Sequence, residues 1–185
     1  MHIDQPPNQP STLHVFGRTF NQPHKYFYRR YIHKTWTHWE PVSAEIEGDH
    51  LAPVIWRDRL YLFWVTFMEK GSQTSNSISV KSPNKESGST TFSIPDAKKD
   101  IEVQLHWSEY LNGEWTTHES SGFNAPNPLV VSGLRAFDPT SVFIHVSKEY
   151  DPEDGSELGV FIHMDGAIYR AFYLAGRNSS PEIGA

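Results

Sequence analysis

Laid one over the other, YRRYIHKTWTHWE (28–40) and WSEYLNGEWTTHE (107–119) align without a gap at an offset of 79 residues. Tyr31 falls on Tyr110, Trp36 on Trp115, Thr37 on Thr116 and Glu40 on Glu119, while Tyr28 meets Trp107 and Ile32 meets Leu111. His33-Lys34 lies over Asn112-Gly113, a pair that tolerates positive φ and marks a two-residue hairpin turn. Each copy therefore reads as a strand, a turn, and a Trp-Thr return that folds back across its own hairpin. A repeated unit has to bury its rings in every copy, which favours a structural duty over ligand stacking. Tyr31, Trp36, Tyr110 and Trp115 are accordingly expected in the core. Two copies do not close a ring. The expected fold is all-β and antiparallel, with aromatic-rich hairpins packed as in a propeller or a sandwich, as part of a larger β domain.

The remainder of the chain agrees with that class. Aromatic residues make up 14% of a sequence that is 37% hydrophobic, a balance suited to pleated, half-buried surfaces. No segment sustains a 3.6-residue apolar period, so no long helix is expected. Residues 1–24 are polar and proline-rich and read as an extended lead-in, with brief pairing around LHVFGRTF. Residues 25–176 read as one β domain. Its strands are expected in YFYRRYI, WTHWEPVSAEI, LAPVIW, RLYLFWVTF, IEVQLHWSEYL, EWTTHES, LVVSG, SVFIHVSKEY, LGVFIHM and AIYRAFYL. Arg57-Asp58 and Asp165-Gly166 are further two-residue connections. Residues 70–100 are rich in Ser, Thr, Lys, Asn and Gly and read as a long polar loop, and 177–185 read as a frayed tail.

Charge and composition narrow the function classes. A net charge of −6 argues against a general nucleic-acid binder. With no cysteine there is no disulfide framework, thiolate metal site or cysteine nucleophile. The N-terminus lacks the pattern of a signal peptide, and the longest apolar run, LYLFWV, is far too short for direct membrane insertion. No metallohydrolase, P-loop or nucleophile-elbow motif occurs, and neither a cofactor nor a metal is expected. Glu45, Glu47, Asp49 and His50 have the residue types of a cation site, but EIEGDH reads more simply as a solvated bend at Gly48. Ten histidines, eight of them in or beside expected strands, offer groups that titrate near neutrality.

Taken in order, GRTFNQPHKYFYRRYI, WTHWEPVSAEIEGDHLAPVIWRDRLYLFW and VQLHWSEYLNGEW resemble the neuraminidase-like region of the large A subunit of bacterial insecticidal toxin complexes (Tc toxins). The resemblance covers about residues 16–119 and is specific as a set. It implies a β-rich module in the outer shell of a pentameric pre-pore, a secreted virulence factor whose shell opens with pH. The partners it implies are other domains or protomers of the A subunit, and host-surface glycan or a receptor. A chain this short is expected to be a fragment, a split gene product or a standalone relative. Sialidase chemistry needs an arginine cluster, a tyrosine–glutamate pair and an aspartate acid. The eight arginines fall in no such pattern, and SEYLNGEW departs from the sialidase Asp box at Tyr110. The expected role is therefore structural and non-catalytic. The alternative is a carbohydrate-binding module using Trp39, Trp56 and Trp64 as a stacking platform.

Overall fold

The structure is a computed structural model that describes residues 1–6, 8–71, 98–121, 128–134, 136–148, 157–164, 166–177 and 180–184. It is all-β, in three antiparallel sheets. The first holds β1 (His2–Asp4), β2 (Thr12–Arg18), β3 (Tyr26–Ile32) and β4 (Thr35–Trp36) in that order, with β5 (Glu40–Pro41) also pairing with β3. The second runs β10 (Glu119–Ser120), β8 (Lys99–Leu111), β7 (Arg59–Gly71) and β6 (Ala52–Trp56), with β9 (Glu114–Trp115) and β11 (Leu129–Leu134) on β8. The third is the meander β12 (Phe143–Ser147), β13 (Leu158–Met164), β14 (Ala167–Arg177) and β15 (Ser180–Gly184). A 3₁₀ turn, Pro139–Ser141, leads into β12 and is capped by the Asp138 carboxylate on the Thr140 amide.

The sheets are stacked face to face, with the second in the middle. Alternation along β7 and β8 sends Tyr61, Phe63, Val65, Ile101, Val103, Leu105 and Trp107 into one core, shared with Leu158, Val160, Ile162 and Leu174 of the third sheet. Leu60, Leu62 and Trp115 point the other way, into a core shared with Tyr26, Tyr28 and Val42 of the first sheet. A strand covered on both sides loses its polar–apolar alternation, which is why LYLFWV reads as an unbroken apolar run. Leu62 and Phe63 are completely buried and Trp64 is 1% exposed.

The turns are set by local chemistry. His33-Lys34, Arg57-Asp58 and Asn112-Gly113 all have both residues at positive φ, the backbone of a hairpin turn whose twist matches the flanking strands. Gly166 also has positive φ, between the paired residues Met164 and Ala167. Beyond each Trp the return strand stops early. Thr37 Oγ1 accepts from the Arg30 amide at 2.9 Å, and Thr116 Oγ1 accepts from the Glu109 amide at 3.0 Å. A side chain thus takes a backbone place in the ladder and ends regular pairing. The strands expected through WTHWEPVSAEI and EWTTHES are consequently two short pieces each.

Two terminal features differ from the sequence reading. The lead-in contains β2, whose alternate residues Thr12 and His14 are buried and which pairs with β3 along its length. The tail contains β15, paired with β14 from Tyr173↔Gly184 to Arg177↔Ser180. The polar loop expected at 70–100 lies outside the described residues over 72–97, while its two ends belong to β7 and β8.

Candidate functional site

The repeated unit is preserved in three dimensions. Tyr31 faces Trp36 across its hairpin with ring centroids 5.0 Å apart, and Tyr110 faces Trp115 at 5.1 Å, both pairs inclined at 51°. Thr37 N donates to Arg30 O and Thr116 N to Glu109 O, each at 2.9 Å. Tyr28 pairs with Glu40 as Trp107 pairs with Glu119, and the amides of Val42 and Ser121 close the units on Tyr26 O and Leu105 O at 2.9 Å.

Their surroundings are not the same. Trp115 is 7% exposed, packed edge-on against Tyr28 (5.7 Å, 88°) and Phe16 (5.6 Å, 64°) of the first sheet. Trp36 is 42% exposed, against the expectation that it lies in the core. The reason lies in the layering. Trp115 points toward the first sheet, whereas the equivalent side of the first sheet, carrying Tyr31 and Trp36, has no sheet over it among the described residues. Tyr31 is half-buried, and Tyr110, also half-buried, donates through its hydroxyl to Glu40 Oε2 at 2.8 Å across the sheet interface. Burial beside Glu40 raises the Tyr110 pKa, and burial, reinforced by nearby Tyr110 and Glu40, raises that of Tyr28.

The three tryptophans considered for ligand stacking separate. Trp64 is buried against His106, parallel at 5.6 Å and 9°, so it offers no free face. Trp56 is 7% exposed; its Nε1 donates to Glu157 Oε2 at 2.8 Å and the Arg57 guanidinium lies 5.1 Å from the ring. Both are corrected from platform to buried positions: Trp56 lies in the core between the second and third sheets, and Trp64 is closed off by His106, His118 and the backbone at Gly48. Trp39 remains 43% exposed. Arg29 lies between the two outward indoles, with its guanidinium carbon 4.0 Å from the Trp36 ring and 4.5 Å from the Trp39 ring. The Trp39 ring lies so close to the backbone at Gly17 that a Cβ there would sit 3.3 Å from Cη2. Gly17, Arg18, Thr19, Phe27 and Trp39 line an open cleft of about 340 Å³.

EIEGDH does not gather into a cation site. Asp49 pairs with Arg18, and His24 Nε2 lies 3.3 Å from its carboxylate. His50 Nε2 makes a hydrogen bond with Thr140 O at 2.9 Å. Among the described residues no three His, Asp or Glu groups converge as metal ligands. His14 is buried and His106 half-buried instead. His14 makes a hydrogen bond through Nδ1 with the Tyr28 hydroxyl at 2.8 Å, and burial, reinforced by nearby His2, lowers its pKa to about 4. His106 makes a hydrogen bond through Nε2 with Thr66 Oγ1 at 2.8 Å, and burial, reinforced by His118, likewise lowers its pKa to about 4.

A family profile described as the neuraminidase-like domain matches residues 1–150, most of the chain. The chain belongs to the neuraminidase-like domain family. Comparison with curated proteins returns no match. The matched span of this neuraminidase-like domain takes in the first two sheets, both repeat units and β12. Sequence reasoning missed the Arg29 clamp and the contact from Tyr110 to Glu40. The second carried a signal, since a glutamate stands four residues after the Trp in both copies.

Proposed function

We propose that the chain is a non-catalytic structural module of the shell of an insecticidal toxin-complex A subunit, or of a detached relative. It serves assembly there and takes part in acid-dependent opening, in a secreted complex. The observation that carries this reading is the use made of the second repeat unit. Tyr110 and Trp115 hold one sheet against the next, and the tyrosine–glutamate pair Tyr110 and Glu40, residue types that sialidase chemistry also uses, is a strut between those sheets. Burial and the neighbouring carboxylate make the Tyr110 hydroxyl harder to ionise. Two assays test the proposal. The full chain is expected to turn over no fluorogenic sialoside above a blank, and Trp115→Ala in the A subunit is expected to prevent pentamer assembly. Sialoside turnover that disappears in Tyr110→Phe would refute the structural role.

A second reading, a module that binds host-surface glycans, is favoured by one observation: Trp39 stands exposed beside the cleft at Gly17 and Phe27. Rings of this kind suit the apolar face of a sugar. A glycan array separates the two readings, since binding that is lost in Trp39→Ala supports the second.

A further inference from the structure

We propose that the outward face of the first sheet, centred on Trp36, seats a further antiparallel sheet of the same repeat type, one that presents two rings and a glutamate to it. The argument is the internal equivalence of the two units. In the second unit, the face bearing Tyr110 and Trp115 is covered by the side of the first sheet that carries Phe16, Tyr28 and Glu40. By the alternation of β3, the same face of the first unit carries Phe27, Arg29 and Tyr31 and lies opposite Tyr26 and Tyr28. It holds the same Tyr–Trp pair in the same geometry, yet its Trp36 is 42% exposed where Trp115 is 7% exposed. The two indoles on it are already held in place by Arg29, so little side-chain freedom remains to be lost on docking.

The chemistry of the occupant follows from the covered copy. Edge-on rings would meet Trp36 as Phe16 and Tyr28 meet Trp115, and a carboxylate would accept from the Tyr31 hydroxyl as Glu40 accepts from Tyr110. A second folded copy does not offer that surface, because its own Tyr26 and Tyr28 are buried under its second sheet. The occupant is therefore another unit of this kind, presented by a partner whose corresponding face is free.

The test supplies such a unit. Residues 1–47, carrying Trp36→Phe so that only the host's Trp36 is read, are duplicated ahead of the full chain through a flexible Gly-Ser linker of about 20 residues, long enough to leave docking unconstrained. Hydroxyl-radical footprinting then reads the solvent access of Trp36, and hydrogen exchange reads the appended Tyr26–Ile32 amides. The expected result is protection of those amides and a fall in Trp36 oxidation toward the level of Trp115, on the order of six-fold given exposures of 42% and 7%. The protection is expected to vanish when the host unit carries Trp36→Ala and to weaken with Tyr31→Phe. Unprotected appended amides with unchanged Trp36 oxidation overturn the proposal, as does protection indifferent to both substitutions. Sedimentation of the unfused chain is the second arm: self-association abolished by Trp36→Ala would assign the face to a second copy and likewise overturn it.

Discussion

Replacing the same tryptophan in each repeat unit by alanine separates local geometry from layering. Trp36 and Trp115 face their tyrosines at 5.0 and 5.1 Å with the same inclination, so a stability contribution set within the hairpin would make the two substitutions equal. The layered structure makes them unequal. Trp115 is 7% exposed and touches Tyr28, Phe16 and Tyr110. Removing a buried indole costs about 3–5 kcal/mol, the transfer and cavity contributions together. Trp36 is 42% exposed, and Arg29 and Tyr31 are its principal contacts. Its loss forgoes one exposed cation–π contact and one ring pair, about 1 kcal/mol after the remaining side chains relax. Urea unfolding of the full chain followed by far-ultraviolet circular dichroism measures both. With an m-value of about 2 kcal/mol/M, the midpoint is expected to fall by roughly 2 M for Trp115→Ala and about 0.5 M for Trp36→Ala. Equal shifts, or a larger one for Trp36→Ala, would refute the stacking of the first sheet on the second.

Three further outcomes follow from particular contacts. The pKa values of His14 and His106 are lowered to about 4, so the unfolded chain binds more protons than the folded one below the ordinary value of 6.5. Their contribution is complete above that pH and is lost as pH falls from 6.5 toward 4; halving the full linkage value for partial water access gives a loss of roughly 1 kcal/mol per histidine by pH 5. Melting temperatures between pH 7 and 5 check this, and the slope should flatten in the His14→Gln, His106→Gln double variant. Replacing His33-Lys34 by Asn-Gly, the pair in the second unit, relieves two left-handed non-glycine residues and is expected to raise stability by about 0.5–1.5 kcal/mol in the same urea assay. Tyr110→Phe removes the hydroxyl contact with Glu40 and is expected to cost about 1 kcal/mol, with the sheets still stacked and the near-ultraviolet dichroism retained.

Much of the local structure was legible in the residues. The turn at His33-Lys34 is legible between its strands and falls over Asn112-Gly113 in the alignment, and the fold-back of each Trp onto its Tyr follows from the same spacing. What the sequence could not show was which copy is covered. Burial of Trp115 depends on Phe16 and Tyr28, nearly 100 residues earlier in the case of Phe16, and nothing in the unit itself encodes that contact. Trp56 and Trp64 qualify as a platform under the alternative, carbohydrate-binding reading because an apolar run does not reveal whether one or both faces are covered. β2 was underestimated because its burial is carried partly by Thr12 and His14, polar residues that find their place only when β3 and its Tyr28 hydroxyl are alongside. The candidate site was legible as a motif, and its two environments were not.

The double covering of β7 reaches beyond packing. An ordinary surface strand keeps every second position open to change, because its water side accepts almost any polar residue. From Leu60 to Val65 that latitude is gone: all six neighbours in the chain are buried, five of them in one or the other interlayer and Trp64 against His106 and His118. A charge placed anywhere along this segment has no side to turn to. Neither outer sheet can peel away without wetting half of its rings, so the middle strand couples the loosening of one layer to the stability of the other.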